Sequence, residues 1–235
     1  MKSSNATYKF LGNIIIPSII GIGLVGIPTV CLIFKFRYPD SPYGWIFVVF
    51  ICFIVIERVW ETFYSTGENK RYKLQGDWTL PLVSIAYELM LFGIIFEHFL
   101  IKKQLNLWIT AFALLIYGLS CIFRVWGMMT LKEQWAVHAV GAQKVKDAFL
   151  VQAGPYKYVR HPIYFGVILE VISIPLIWNA YFVVVFTIVI NVPLQIVRAY
   201  FEEKASIRKL GREYISYRNS VPALFPVNFR NTNKK

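Results

Sequence analysis

Gly154-Pro155-Tyr156-Lys157-Tyr158-Val159-Arg160-His161-Pro162-Ile163-Tyr164-Phe165-Gly166 is a polar stretch that runs straight into an apolar one. Gly154-Pro155 is a turn signal. Pro162 suits the first turn of a helix, where no backbone donor is needed. A helix beginning there points free N–H groups and its positive end towards 154–161, which suits a carboxylate or phosphate. The apolar run from 162 reaches Trp178, and after Trp178-Asn179-Ala180 another runs to about 201. So short a connection predicts a tight antiparallel hairpin of helices. The hairpin returns Arg198-Ala199-Tyr200-Phe201-Glu202-Glu203-Lys204 to the level of 154–166. Polar groups gathered at the mouth of an apolar helix bundle mark a site.

Upstream, the same pattern recurs. Apolar segments at about 11–34, 43–63, 79–101 and 106–130 join 162–178 and 180–201. Each approaches the ~20 residues that a hydrocarbon core requires of a helix. Only 16% of the 235 residues are charged, against about 25% in a soluble domain. The expected fold is therefore an all-α integral membrane bundle of about six transmembrane helices with a cytoplasmic C-terminal cap. Residues 1–105 carry no recognised motif, and 106–235 form the motif-bearing membrane domain.

Charge orients the bundle. With both termini cytoplasmic, the inner segments hold Lys2, Lys9, Lys70, Arg71, Lys73, five bases from Lys132 to Arg160 and those from Arg198 onwards. The outer loops hold Lys35, Arg37, Lys102 and Lys103. That asymmetry obeys the positive-inside rule. The net charge of +12 is thus a topology signal, and nucleic acid is not expected as a partner. The N-terminal apolar stretch is too long for the core of a cleavable signal and lacks a small-residue cleavage site. Cys31, Cys52 and Cys121 fall in apolar runs without metal spacing and read as small core residues. No two histidines stand at ligand spacing, so no metal is expected.

Each polar cluster has two readings. Tyr, Arg and His around 154–164 fit a headgroup belt as well as a binding site. Arg198 and Glu202, four apart, fit an ordinary helix-end ion pair, or a pair in which Arg198 holds an anion and Glu202 a cation. Glu57, Arg58 and Glu61 near one end of the second segment, with Arg124 in the fourth, are expected to pair with one another. Glu88, Glu97, His98 and Glu170 lie deeper in their segments. Glu170 is either functional or a bond between helices. The tail from Gly211 to Tyr217 is amphipathic and is expected along the interface.

Taken together, residues 154–166, Arg198, Glu202-Glu203, Leu210-Gly211, Tyr214, Tyr217, Val221-Pro222 and Pro226 resemble the isoprenylcysteine carboxyl methyltransferase family and its phospholipid N-methyltransferase relatives. Arg124, Trp126, Thr130-Leu131 and Trp135 resemble that family's preceding helix. The likeness covers about 120–226. It implies S-adenosylmethionine as methyl donor, bound on the cytoplasmic face. By motif, Leu150 and Val151 would flank the adenosine. Tyr156, His161, Pro162, Ile163 and Tyr164 would hold the cofactor, with Glu202 facing it and Arg198 at the substrate. Gln143 would match a cofactor-contacting glutamine. The implied acceptor is lipid-like, such as the carboxylate of a prenylated cysteine. Leu210 stands where the family usually has Phe, and Ala223-Leu224 replaces a more polar turn. Membrane sterol reductases that bind NADPH share an RH-x-x-Y-x-G element. Pro162 after His161, and Glu202-Glu203 in place of Asp-Glu, stand on the methyltransferase side. A non-enzymatic membrane protein would leave the joint motif unexplained.

Overall fold

The structure, a computed structural model, describes residues 16–63, 79–101, 104–131 and 149–225. Gln143, Trp135, His138 and Pro226 lie outside the described residues. Among the described residues the fold is helical throughout, with no strand.

Helix α1 runs through Ile16–Gly21, a π-helical turn Ile22–Gly26 and Ile27–Arg37; α2 is Gly44–Phe63, α3 Thr79–Leu100 and α4 Leu107–Leu131. A 3-10 turn, Gly154–Lys157, precedes α5, Pro162–Ile177. Helix α6 runs through Tyr181–Phe186, a second π-helical turn Thr187–Asn191 and Val192–Leu210; α7 is Arg212–Ser220. Both π-helical turns have a proline two residues beyond them, Pro28 and Pro193. Proline removes a backbone donor and crowds the carbonyl four residues back, and a widened turn accommodates both.

Among the described residues four helices are long and apolar enough to cross a membrane: the Ser18–Arg37 part of α1, α3, α4 and α6. Of the other two helices expected to span, α5 is apolar but 16 residues long, and α2 carries Glu57, Arg58 and Glu61 in 20 residues. The molecular surface is apolar where a bilayer would touch it: Val49, Phe53, Leu115, Ile122 and Val185 are exposed. Phe36, Tyr43, Trp45, Trp108, Tyr181 and Phe182 are exposed around one end, where the end of α1 and the starts of α2, α4 and α6 meet. A collar of aromatic rings at one level suits a membrane–water interface.

At that aromatic end the α5–α6 turn is as tight as the sequence predicts. Asn179 takes φ 53°, a conformation asparagine tolerates better than most residues. Its Oδ1 accepts the Asn106 N–H at 2.8 Å, and its Nδ2 donates to Thr110 Oγ1 at 3.1 Å. The turn is thereby pinned to the start of α4. Inside, Phe47, Ile51, Ile54, Met90, Ile94 and Ile174 are among the buried residues of one core. Helices α4 and α5 form the most extensive pair, and glycine lets them close. A Cβ on Gly166 would stand 2.6 Å from Arg124 Cγ and 3.0 Å from the Ser120 carbonyl oxygen. A Cβ on Gly127 would stand 2.5 Å from Ile163 Cγ1. Small residues at such crossings let membrane helices approach.

Five charged residues of α2, α4 and α5 cluster, with Glu61, Arg124 and Glu170 buried and Glu57 and Arg58 partly buried. Arg124, 1% exposed in its side chain, lies 2.5 Å from Glu57, 2.8 Å from Glu61 and 3.1 Å from Glu170. Arg58 pairs with Glu61 at 2.8 Å and with Glu170. Tyr87 donates to Glu170 at 2.7 Å, and Tyr117 donates to Glu57 at 2.7 Å. The expected pairing of Glu57, Arg58, Glu61 and Arg124 is therefore found, and Glu170 joins it from α5. The cluster locks α2, α3, α4 and α5 together around the middle of α5.

Candidate active site

The 3-10 turn and the start of α5 are strapped to the C-terminal segment. Arg160 N–H donates to the Pro222 carbonyl at 2.9 Å, and His161 N–H to the Ala223 carbonyl at 3.0 Å. The Arg160 guanidinium bonds Glu203 at 2.8 Å through Nε and reaches the carbonyls of Arg218 and Val221. Tyr217 donates its hydroxyl to the Tyr156 carbonyl at 2.6 Å. Gly154, at φ 56°, sits so close to Thr130 and Trp126 of α4 that a Cβ would meet Thr130 Oγ1 at 2.6 Å. Glycine is needed there on both counts, conformation and space.

Behind the strap, the two sequence clusters interlock. His161 Nε2 lies 3.1 Å from Glu203 Oε1. Tyr164, one turn along α5, donates its hydroxyl to Glu202 Oε2 at 2.7 Å. The same hydroxyl accepts from Arg198 Nε at 3.1 Å, while another Arg198 nitrogen donates to Thr79 Oγ1 on α3 at 3.1 Å. The His161 and Tyr164 rings stand edge to face at 5.5 Å. Arg198 and Glu202 are thus joined through the Tyr164 hydroxyl. Glu203 has its own cations, Arg160, His161 and Arg218.

Aromatic rings and one carboxylate set the character of this place. Burial above all, and then the Glu202 carboxylate, push the Tyr156 phenol well above its ordinary value. Burial likewise pushes the Tyr217 phenol up to about 12. Both phenols therefore stay neutral at any physiological pH, and that of Tyr217 is the donor to the Tyr156 carbonyl. A carboxylate ringed by neutral tyrosines suits a cation, through charge and through ring faces. The N-terminus of α5, with Pro162 in its first turn, presents N–H groups to an anion.

Tyr156, His161, Tyr164, Arg198 and Glu202 come together in this way, with Pro162 and Ile163 in the first turn of α5 and the Ile163 side chain against Gly127 of α4. Leu150 and Val151 lie half-buried in the irregular segment leading into the turn. Three participants were not singled out as site residues from the sequence. Glu203 takes the histidine, Arg160 is the clamp, and Thr79 reaches Arg198 from α3. The Glu202-Glu203 doublet is itself the missed signal, because two adjacent helical carboxylates diverge by about 100° and face different partners. Helix α6 also runs nine residues past the predicted end of its apolar run, and α7 packs back with Tyr214 and Tyr217 buried.

An uncharacterised protein of Bacillus subtilis (strain 168), YpbQ, is 29% identical over 164 residues, 68% of this chain and 95% of that protein. Residues 109–208 span α4, α5, the hairpin turn and the part of α6 that carries Arg198, Glu202 and Glu203. That stretch matches the model of the isoprenylcysteine carboxyl methyltransferase (ICMT) family.

Proposed function

We propose that the chain is a membrane-embedded, S-adenosylmethionine-dependent methyltransferase acting on a lipid-like acceptor, such as the carboxylate of a prenylated cysteine. The observation that carries this reading is the Arg198–Tyr164–Glu202 chain of hydrogen bonds beside the α5 N-terminus. It puts an anion-binding group and a cation-binding group a few ångströms apart, within a stretch matching a methyltransferase family.

S-adenosylmethionine would supply an electrophilic methyl group on a sulfonium. Glu202, with Tyr164 bonded to it and Tyr156 nearby, would hold the cofactor's cationic part. The N–H groups at the start of α5, those of Ile163 and Tyr164, would hold its carboxylate, and Leu150 and Val151 would lie against the adenosine. Arg198 grips the acceptor head. A carboxylate acceptor is already ionised at neutral pH, so no base is required. Alignment of the two reactants then contributes several kcal/mol. The acceptor's tail enters from the bilayer, and the charged cofactor enters from the cytoplasm.

Adenosylhomocysteine should stabilise the detergent-purified protein thermally. His161→Ala and Glu202→Ala should each lower its affinity by about tenfold, the worth of one charge-assisted hydrogen bond. Unchanged affinity in both variants would remove these residues from the cofactor site. Stabilisation by NADPH in place of adenosylhomocysteine would move the chain to the reductase reading.

The six-span arrangement has a separate test. Membrane-impermeant thiol labelling of Lys102→Cys and Lys146→Cys, in a background without Cys31, Cys52 and Cys121, should mark opposite faces, with Lys146→Cys cytoplasmic. Labelling of both from one side would overturn that topology.

A further inference from the structure

Exposed aromatic side chains set the depth of the bundle at both of its ends. Trp108 and Trp126 stand 18 residues apart on α4, and Phe182 and Tyr200 stand 18 residues apart on α6, all four exposed. At 1.5 Å per residue each pair spans about 27 Å. That is close to the ~30 Å of a hydrocarbon core. Trp60 near the end of α2 and Tyr158 just before α5 are exposed at the same end as Trp126 and Tyr200. Aromatic rings lie at membrane–water interfaces. Tyr200 therefore marks where α6 leaves the hydrocarbon, at the end of the bundle that holds the candidate site.

Past that level the outward face of α6 turns basic. Val197, Tyr200, Lys204 and Arg208 follow at spacings of three, four and four, on one helix face, and all four are exposed. Lys204 stands about 6 Å and Arg208 about 12 Å beyond Tyr200 along the helix. Helical side chains lean towards the N-terminus, so both cations lean back towards the bilayer surface. The neighbouring acids are already engaged. Tyr164 bonds Glu202, and Arg160, His161 and Arg218 surround Glu203. Among the described residues neither Lys204 nor Arg208 has an ion-pair partner.

We infer that Lys204 and Arg208 seat the headgroup of an anionic phospholipid. Its phosphodiester meets the two cations, and its acyl chains run down the exposed strip of Tyr200, Val197 and Ile196. The apolar strip is what selects a lipid over a soluble anion, because it leads straight into the two bases. The buried face of the same helix carries Arg198 and Glu203. A lipid seated on the outward face therefore fixes the depth at which α6 rides in the bilayer, and with it the depth of Arg198. Nothing in this seat depends on the reaction that the bundle carries out.

The test uses the full chain in detergent, titrated with dioleoylphosphatidylglycerol or dioleoylphosphatidylcholine at low salt. Affinity is read from lipid-dependent thermal stabilisation. Each base near an anionic surface contributes about fivefold, so the anionic lipid should bind about thirtyfold tighter than the zwitterionic one. In Lys204→Gln/Arg208→Gln that factor should be lost while phosphatidylcholine binds as before. Lys204→Arg/Arg208→Lys, which keeps both charges, should keep it. Both side chains are exposed, so the glutamine variant without lipid should melt with the wild type. A glutamine variant that melts well below the wild type would make the two bases part of the fold and overturn the proposal. Equal binding of the two lipids by the wild type, or a preference that survives intact in the glutamine variant, would overturn it as well. So would equal stabilisation by glycerol 3-phosphate, which would mean a site for a soluble anion.

Discussion

Arg124→Met should destabilise the protein by about 3–5 kcal/mol, the cost of removing one partner from a buried ionic cluster. The guanidinium lies within 3.1 Å of Glu57, Glu61 and Glu170 with 1% of its side chain exposed. Methionine fills much of the volume but leaves Glu61 and Glu170 to Arg58 and takes from Glu57 its bond to Arg124. The penalty is then uncompensated buried charge rather than lost packing. Neutralising a carboxylate in the same protein should therefore recover part of the loss, and Arg124→Met/Glu61→Gln should be more stable than Arg124→Met. Arg212→Met, at an exposed position, should change stability by less than about 0.5 kcal/mol. Denaturation in a single detergent, followed by circular dichroism, measures all three. If Arg124→Met costs under about 1 kcal/mol, the cluster behaves as a surface pair and does not lock the helices.

That cluster also shows where sequence reading stops. Glu57, Arg58, Glu61 and Arg124 sit near helix ends that a hairpin topology brings to one level, so their pairing follows from hydropathy and spacing alone. Glu170 does not follow. Whether its side chain meets Arg124 depends on the rotation of α5 against α4. That rotation is set by Gly166 against Arg124 and by Gly127 against Ile163. A glycine contact has no periodic signature. The same limit applies at the site. The return of Arg198 and Glu202 to the start of α5 was legible, because three residues between two long apolar runs allow only a hairpin. Which carboxylate meets which partner was not. Glu202 and Glu203 are chemically identical, and only the azimuth of α6 gives Tyr164 to one and His161 to the other. Thr79 was hidden for a related reason. It lies well upstream of the resemblance, on a helix with no recognised motif, and reaches Arg198 only through the packing of α3 beside α6.

Helix α6 outruns its hydropathy for a physical reason. Past Phe201 its exposed face carries Lys204, Arg208 and Lys209, while Glu203 and Ala205 remain buried. An amphipathic continuation of this kind leaves the apolar run without leaving the helix. It ends at Gly211, whose φ of 57° reverses the chain into α7. That reversal returns Tyr217 to Tyr156 and Val221-Pro222 to Arg160, closing the strap over the start of α5.

Arg198→Lys should reduce turnover by about a hundredfold or more while leaving adenosylhomocysteine affinity nearly unchanged. The size is that of removing one preorganised donor from a reacting group. Two hydroxyls hold the guanidinium from different sides, Tyr164 through Nε and Thr79 through a terminal nitrogen, both at 3.1 Å. A planar group held at two points keeps one orientation, and an acceptor carboxylate that docks on it inherits that orientation. Lysine keeps the charge at nearly the same depth. Its single ammonium on a flexible stem can reach Tyr164 or Thr79 but does not reproduce the fixed plane. The acceptor would still be attracted, so KM should rise less than kcat falls. Glu202 would keep its bond from Tyr164, which does not pass through Arg198, and this is why the cofactor should bind as before. An Arg198 that served only as a helix-end charge would be replaced by lysine with full activity. Turnover of the lysine variant at saturating S-adenosylmethionine, with adenosylhomocysteine binding measured on the same preparation, separates the two. Full activity would remove Arg198 from the acceptor site, and a parallel loss of cofactor affinity would make it part of the cofactor site instead.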